Sequence, residues 1–86
     1  MKVLTILITD WCPHCNRAIK WLKEIKEEDS RFKEVEITII DEEKQPELSE
    51  KFDYYYVPTY YVDGVKIHEG ATSKDQLIEA LEVAVK

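Results

Sequence analysis

The chain has 86 residues, 44% hydrophobic and 35% charged, with two glycines, three prolines and two cysteines. The length fits a single domain, 1–86, and the composition suits a folded globule rather than a disordered segment. Eighteen acidic residues against twelve basic ones leave a net charge of -6. Phosphate backbones repel such a surface, so nucleic acid is a poor candidate partner and the charge reads as solubility.

The first apolar run, Val3 to Ile8, is shorter than the roughly 7–15 residues of a signal-peptide core. Asp10 follows it rather than a small-residue cleavage site. Nothing is long enough to cross a bilayer. The expectation is a cytoplasmic protein, a monomer with no membrane partner, in a compartment where disulfides rarely act as staples. The run itself, Val3 to Thr9, is rich in β-branched residues and predicts a central strand buried on both faces.

Behind it lies "WCPHC", Trp11 to Cys15, holding both cysteines. A helical pattern follows: Cys15, Ala18, Ile19, Leu22 and Ile25 share one face, and the pattern fades at Glu28-Asp29-Ser30. Val35 to Ile40 alternates as a strand with one well-buried face. Gln45 to Phe52 predicts a short helix with Pro46 in its first turn, pinned to the sheet by Leu48 and Phe52. Val57 to Gly70 predicts a hairpin closed by Asp63-Gly64, a pair suited to a turn that needs positive φ at both positions. Pro58, lacking an N–H, belongs at the start of its strand. Ser73 and Gln76 form a capping box ahead of a last helix with Leu77, Ile78, Leu81 and Val85 on its apolar face. The order β-α-β-α-β-β-α predicts an α/β fold. Its first two strands are parallel, the hairpin adds two antiparallel strands, and helices flank a mixed four-stranded sheet.

The two cysteines thus fall between a strand and a helix, with Cys12 at the N-cap, Pro13 at N1 and Cys15 at N3. First-turn N–H groups are expected to point at the Cys12 sulfur, and the helix dipole adds about half a positive charge there. Both favour the thiolate, the nucleophile of disulfide exchange. Cys15, on the core-facing stripe, is expected to be the more buried thiol and to resolve the mixed disulfide that Cys12 forms. His14 is positioned to stabilise the thiolate further, giving a more oxidising couple, and Asp10 would oppose it if close. Trp11 either covers the site or serves as a substrate platform, and the platform is preferred. Of Tyr54, Tyr55 and Tyr56, at least one ring is expected in the core and another on a docking surface near Cys12. His68 reads as an exposed edge-strand residue rather than a catalyst, and Arg17 as part of a solvated helix face.

A CxxC between a first strand and a first helix, followed by a β-strand and Val57-Pro58-Thr59, resembles the thioredoxin superfamily along nearly the whole chain. "CPHCNRAIK" is similar to the glutaredoxin pattern CPYC followed by Arg-Ala, and the length is that of a glutaredoxin. "WC", "QPELSEKF", "VPT" and "GATSKDQL" look more like thioredoxin, and the Pro-His pair resembles that of periplasmic disulfide-forming oxidases. The resemblance implies a thioredoxin-like, glutaredoxin-type fold and a thiol-disulfide oxidoreductase. It also implies a cis Val57–Pro58 bond beside the cysteines, with Val57 as the docking residue, Pro58 as the groove wall and Gly70 lining the same groove. No bound cofactor is implied, although glutathione is a possible co-substrate. The implied partners are disulfide-containing proteins or small thiols, with a reductase or glutathione as electron donor.

Three positions depart from these families. Ile6 stands where thioredoxins carry a buried acid that helps the resolving thiol lose its proton, which leaves water as the default acceptor. Thr9 stands where glutaredoxins usually have a lysine, and Glu69-Gly70-Ala71-Thr72 replaces their Gly-Gly region. Alternatives to the dithiol reading are a glutathione-dependent glutaredoxin, a metal-binding CxxC module and a non-catalytic docking domain. Zinc wants four ligands, and no second CxxC is present to supply them.

Overall fold

Five residues, Leu4–Ile8, form β1 and set the frame of the molecule, a computed structural model describing residues 2–86. β1 lies between two partners in a sheet of order β2-β1-β3-β4. It pairs in parallel with β2, Ile37–Asp41, and antiparallel with β3, Thr59–Val62. β4, Val65–Glu69, completes the hairpin with β3. Period-2 alternation along β1 sends Leu4, Ile6 and Ile8 to one side of the sheet and Leu7 to the other.

The larger side is covered by α1, Pro13–Glu28, and α3, Lys74–Ala84. Cys15, Ala18, Leu22 and Ile25 of α1 meet Leu77, Ala80, Leu81 and Ala84 of α3 over Tyr60 and Val62 of β3. The smaller side is closed by α2, Pro46–Ser49, whose Leu48 packs with Phe52 and Tyr54 against Leu7, Ile40 and Tyr61. The Phe52 and Tyr61 rings lie 4.8 Å apart. The element order and the mixed four-stranded sheet are those expected. The capping box is formed, with Gln76 N–H donating to Ser73 Oγ at 3.2 Å and Ser73 N–H to Gln76 Oε1 at 2.8 Å. The hairpin turn has φ of 47° at Asp63 and 84° at Gly64.

Some local expectations shift. The second helix is shorter than Gln45 to Phe52, because after Ser49 the chain continues in single turns, Lys51 N–H to Leu48 and Phe52 N–H to Ser49. β2 begins at Ile37 rather than Val35. Val35 N–H is taken by the carbonyl of Phe32 as the chain leaves a 3-10 turn over Ser30–Phe32. The well-buried face of β2 is also not the one that Ile37 and Ile39 share, which is half-buried and then exposed, but the opposite one, where Ile40 packs with Leu7 and Tyr61. The sequence pattern did not foresee the 3-10 turn. Asp29 caps it by accepting from Arg31 N–H, and Phe32 is buried completely. No helix among the described residues is long and apolar enough to cross a membrane.

The registers decide where function can sit. Ile8 pairs with Asp41, Leu7 with Thr59, and Thr59 with Glu69. Four segments, 9–15, 41–45, 55–58 and 69–70, therefore emerge at one end of the sheet. It is the carboxyl end of the parallel pair, where open α/β sheets place their ligands.

Candidate active site

Cys12 is the N-cap of α1, with extended backbone (φ -85°, ψ 114°), and Pro13 opens the helix with its missing N–H at a position that has no use for one. The expected bonds from first-turn N–H groups to the Cys12 sulfur are not formed. Sγ turns instead toward the carbonyl of Val57, 3.9 Å away. A thiol is a weak donor and a weak acceptor, so little binds the sulfur to either the amides or the carbonyl. Both thiols are free. Cys12 is 5% exposed and Cys15 not at all, so the ranking of burial agrees with the sequence reading while the outer thiol is itself mostly covered.

Burial pushes the Cys15 thiol up to about 12. The Thr9 main-chain group works the other way, and the Cys12 thiol beside it adds to the rise. In this state Cys15 is a neutral, protected thiol that needs its proton removed before it can attack. Ile6, on the larger side of β1, is wholly buried among apolar neighbours and offers no acceptor.

His14 is exposed in the first turn. Asp10 pairs with Lys44, Oδ2 to Nζ 2.8 Å, which holds its carboxyl below the usual range. Trp11 is 70% exposed, and its indole N–H donates to Glu43 Oε1 at 2.7 Å. Glu43 and Lys44 stand in a turn organised by Asp41, whose Oδ1 accepts both of their amides.

Across the site the Val57–Pro58 peptide is cis. Pro58 is buried, Val57 packs against the core cluster, and Gly70 N–H donates to the Pro58 carbonyl at 2.8 Å. Gly70 has φ of 90°, the region that favours glycine, and a Cβ there would stand 3.7 Å from that of Tyr56. The three tyrosines divide. Tyr54 enters the smaller core and its hydroxyl donates to Glu42, while Tyr55 and Tyr56 project outward, 87% and 70% exposed. The structure thus brings Trp11, Cys12, Pro13, His14, Cys15, Val57, Pro58 and Gly70 to one end of the sheet.

Two residues singled out less strongly lie apart. Arg17 sits over the ring of Trp21, 5.9 Å from its centroid. His68 is half-buried rather than exposed, because α3 packs against β4: it pairs with Tyr60 within the sheet and its Nε2 lies 3.6 Å from Glu79 of α3. Glu43 and Glu69 went unrecognised as site residues. Glu43 was recoverable from the rule that loops after parallel strands converge, but no local signal marked Glu69. Among the described residues, no cluster of three or more His, Cys, Asp or Glu side chains is placed to hold a metal ion.

A buried strand, a CxxC at a helix start and a cis-proline loop facing it define a thioredoxin-fold redox protein. The Glutaredoxin family model matches residues 4–67, and the chain belongs to that family. Its backbone is similar to that of oxidised thioredoxin from Plasmodium falciparum, at 20% identity and a TM-score of 0.77 over 99% of this chain and 82% of that one. Thioredoxin from Fasciola hepatica superposes with a TM-score of 0.77 at 19% identity, over 96% of this chain and 80% of that one. Malassezia sympodialis thioredoxin gives 0.79 at 17%, over 99% and 76%. At such identities these likenesses speak for the fold alone. No curated protein sequence matches the chain.

Proposed function

We propose that the protein is a dithiol thiol-disulfide oxidoreductase. The observation that carries this reading is the placement of Cys12. Its sulfur sits at the N-terminus of α1 and faces Val57 across the groove, with buried Cys15 one turn behind it. The Cys12 thiolate attacks one sulfur of a substrate disulfide. A Cys12–substrate disulfide forms, and the other substrate sulfur leaves as a thiolate that takes up a proton. Cys15 gives its proton to water and attacks Cys12 Sγ. The Cys12–Cys15 disulfide forms, the second substrate thiolate leaves, and the substrate has gained two electrons. A reductase or a thiol such as glutathione returns them. Val57 and Pro58 line the groove, Trp11 and Gly70 border it, and His14 favours the ionised Cys12.

Replacing Cys15 with serine tests the reading. The variant is expected to accumulate mixed disulfides through Cys12 when incubated with a disulfide-bridged polypeptide, whereas a docking domain without chemistry accumulates none. The role given to His14 predicts a potential between about -270 and -120 mV, above that of thioredoxin and below that of the strongest oxidases. A value below thioredoxin's, read by trapping free thiols in graded dithiothreitol buffers, removes His14 from the mechanism.

Membership of the glutaredoxin family favours a second reading, in which glutathione is the electron donor. Turnover coupled to glutathione, set against turnover driven by a thioredoxin reductase, separates the two.

A further inference from the structure

Glu69 closes β4 at the site end of the sheet, and its carboxylate reaches across to the opposite loop. Oε2 accepts two consecutive main-chain amides, Tyr55 N–H at 2.5 Å and Tyr56 N–H at 3.0 Å. Oε1 pairs with Lys66 Nζ at 2.8 Å. The Glu69 side chain is 19% exposed and that of Lys66 37%, so the clamp lies at the surface with its carboxylate partly covered by its own partners. With Lys66 and the two amides around it, the carboxyl titrates down at about 2 and stays ionised under ordinary conditions.

The consequence lies in what the loop can do. Residues 55 and 56 run directly into Val57, whose carbonyl faces the Cys12 sulfur. With their amides turned inward to Glu69, the Tyr55 and Tyr56 side chains project into solvent. The next residue on the other side of the clamp, Gly70, bonds the Pro58 carbonyl. Thr59 Oγ1 also donates to the carbonyl of Tyr56. The segment is therefore held at four main-chain groups, and Glu69 alone supplies the partner for two of them. Neither amide is free to pair with an incoming chain, so residues 55 and 56 offer a substrate their rings, beside the groove lined by Val57 and Pro58.

We propose that Glu69 is a positioning residue that holds Tyr55 and Tyr56 as a fixed aromatic rim of the Cys12 groove and thereby selects polypeptide disulfides over small ones. The inference rests on the oxidoreductase reading. A polypeptide substrate extends beyond the reacting sulfurs far enough to meet both rings. A small dialkyl disulfide does not, and reacts at Cys12 without them.

The test compares wild type, Glu69→Ala and Glu69→Gln with two substrates, a disulfide-bridged polypeptide bearing aromatic residues next to its cysteines and bis(2-hydroxyethyl) disulfide. Dithiothreitol supplies the electrons. Glu69→Ala is expected to raise KM for the polypeptide severalfold, leaving kcat for that substrate and both constants for the small disulfide near wild type. Glu69→Gln keeps an acceptor oxygen for the two amides and is expected to recover most of the KM. Equal loss on both substrates overturns the proposal, as does an unchanged KM in Glu69→Ala. Amide hydrogen exchange gives a second readout that needs no turnover. Tyr55 and Tyr56 amides should exchange slowly in wild type and Glu69→Gln and quickly in Glu69→Ala. Rapid exchange in wild type also overturns the proposal. If wild type reduces neither disulfide, the oxidoreductase reading and the selectivity fall together, and slow exchange would then leave Glu69 holding a loop with no substrate to select.

Discussion

The two flanks of the Cys12 groove are tied down by different chemistry. On one flank, Trp11 and Asp10 are held by Glu43 and Lys44 through side-chain contacts. The Asp10 and Lys44 side chains are each more than half exposed. On the other, residues 55–58 are held mainly through main-chain groups, by the Glu69 carboxylate and by Gly70. Exposed ion pairs contribute about 0–1 kcal/mol and are screened by salt. The Trp11 tie is likewise a hydrogen bond to a carboxylate, so the difference lies in what is held: a side-chain tie orders one ring, whereas ordering main-chain groups restricts everything attached to them. The groove therefore has one adjustable wall and one fixed wall, with the reactive sulfur between them.

The largest expected effect is a control on that contrast. Leu77, on α3, is wholly buried in the larger core and makes none of the hydrogen bonds that tie down either flank. Leu77→Ala should lower global stability by about 2–5 kcal/mol, read from denaturant unfolding. If the stiffness of the fixed wall is local, Tyr55 and Tyr56 amide protection should survive in this variant at denaturant concentrations that leave it folded. Protection that falls in step with global stability would make the contrast between the walls a property of the core.

The fixed wall can be strained directly. Gly70 has φ of 90° with room for a methyl group, so Gly70→Ala meets a conformational penalty rather than a clash. The expected loss is about 1–2 kcal/mol, together with a raised KM for polypeptide substrates. A variant as stable as wild type would show that the loop relaxes freely, and the wall would no longer count as fixed.

The buried thiol behind the reactive sulfur has its own pH signature. Cys15 is raised from 9.0 to about 12 by burial, so the folded state holds its proton where the unfolded chain has lost it. The associated stability is complete below pH 9 and disappears as pH climbs toward 12. Glu69 behaves oppositely. Its carboxyl is lowered from 4.5 to about 2, so its contribution is present above pH 4.5 and lost as pH falls toward 2. Unfolding followed in both arms should show the alkaline loss diminished in Cys15→Ser and the acid loss diminished in Glu69→Gln. Iodoacetamide should label Cys12 well before Cys15 at pH 8, and equal labelling would contradict the burial of the resolving thiol.

The reactive sulfur was legible in the sequence because its determinants are local, whereas the ties of the adjustable wall, Trp11 to Glu43 and Asp10 to Lys44, join segments far apart in the chain and were not. A strand, an N-cap cysteine, Pro13 and a helical stripe lie within about two dozen residues, and the periodicities of 2 and 3.6 separate them. Both sides of the sheet could be read for the same reason, as Leu4, Ile6 and Leu7 alternate and Leu48 and Phe52 recur at helical spacing. The fixed wall was only half legible. Val57, Pro58 and Gly70 came from family resemblance, but Glu69 looked like a departure from a glycine pattern. Its role depends on strand register bringing residue 69 opposite residue 59, and no window of sequence contains both segments. The orientation of the Cys12 sulfur escaped for another reason: a helix start dictates where amides point, not which way a weakly bonding sulfur turns.

The smallest effect tests the adjustable wall itself. Glu43→Gln retains an oxygen that can accept from the Trp11 indole but removes the charge that makes the bond strong. Stability should change by less than about 1 kcal/mol, since the pair is exposed. Trp21 would mask the signal, so the comparison belongs in a Trp21→Phe background, where Trp11 is the remaining indole. There Glu43→Gln should loosen the ring, lowering its fluorescence anisotropy, and added salt should move the parent toward the variant. Tyr55 and Tyr56 amide exchange should not respond to either change. If the salt that frees Trp11 also frees those amides, the walls are coupled through the groove floor, and Trp11 and the tyrosines must be treated as one binding element.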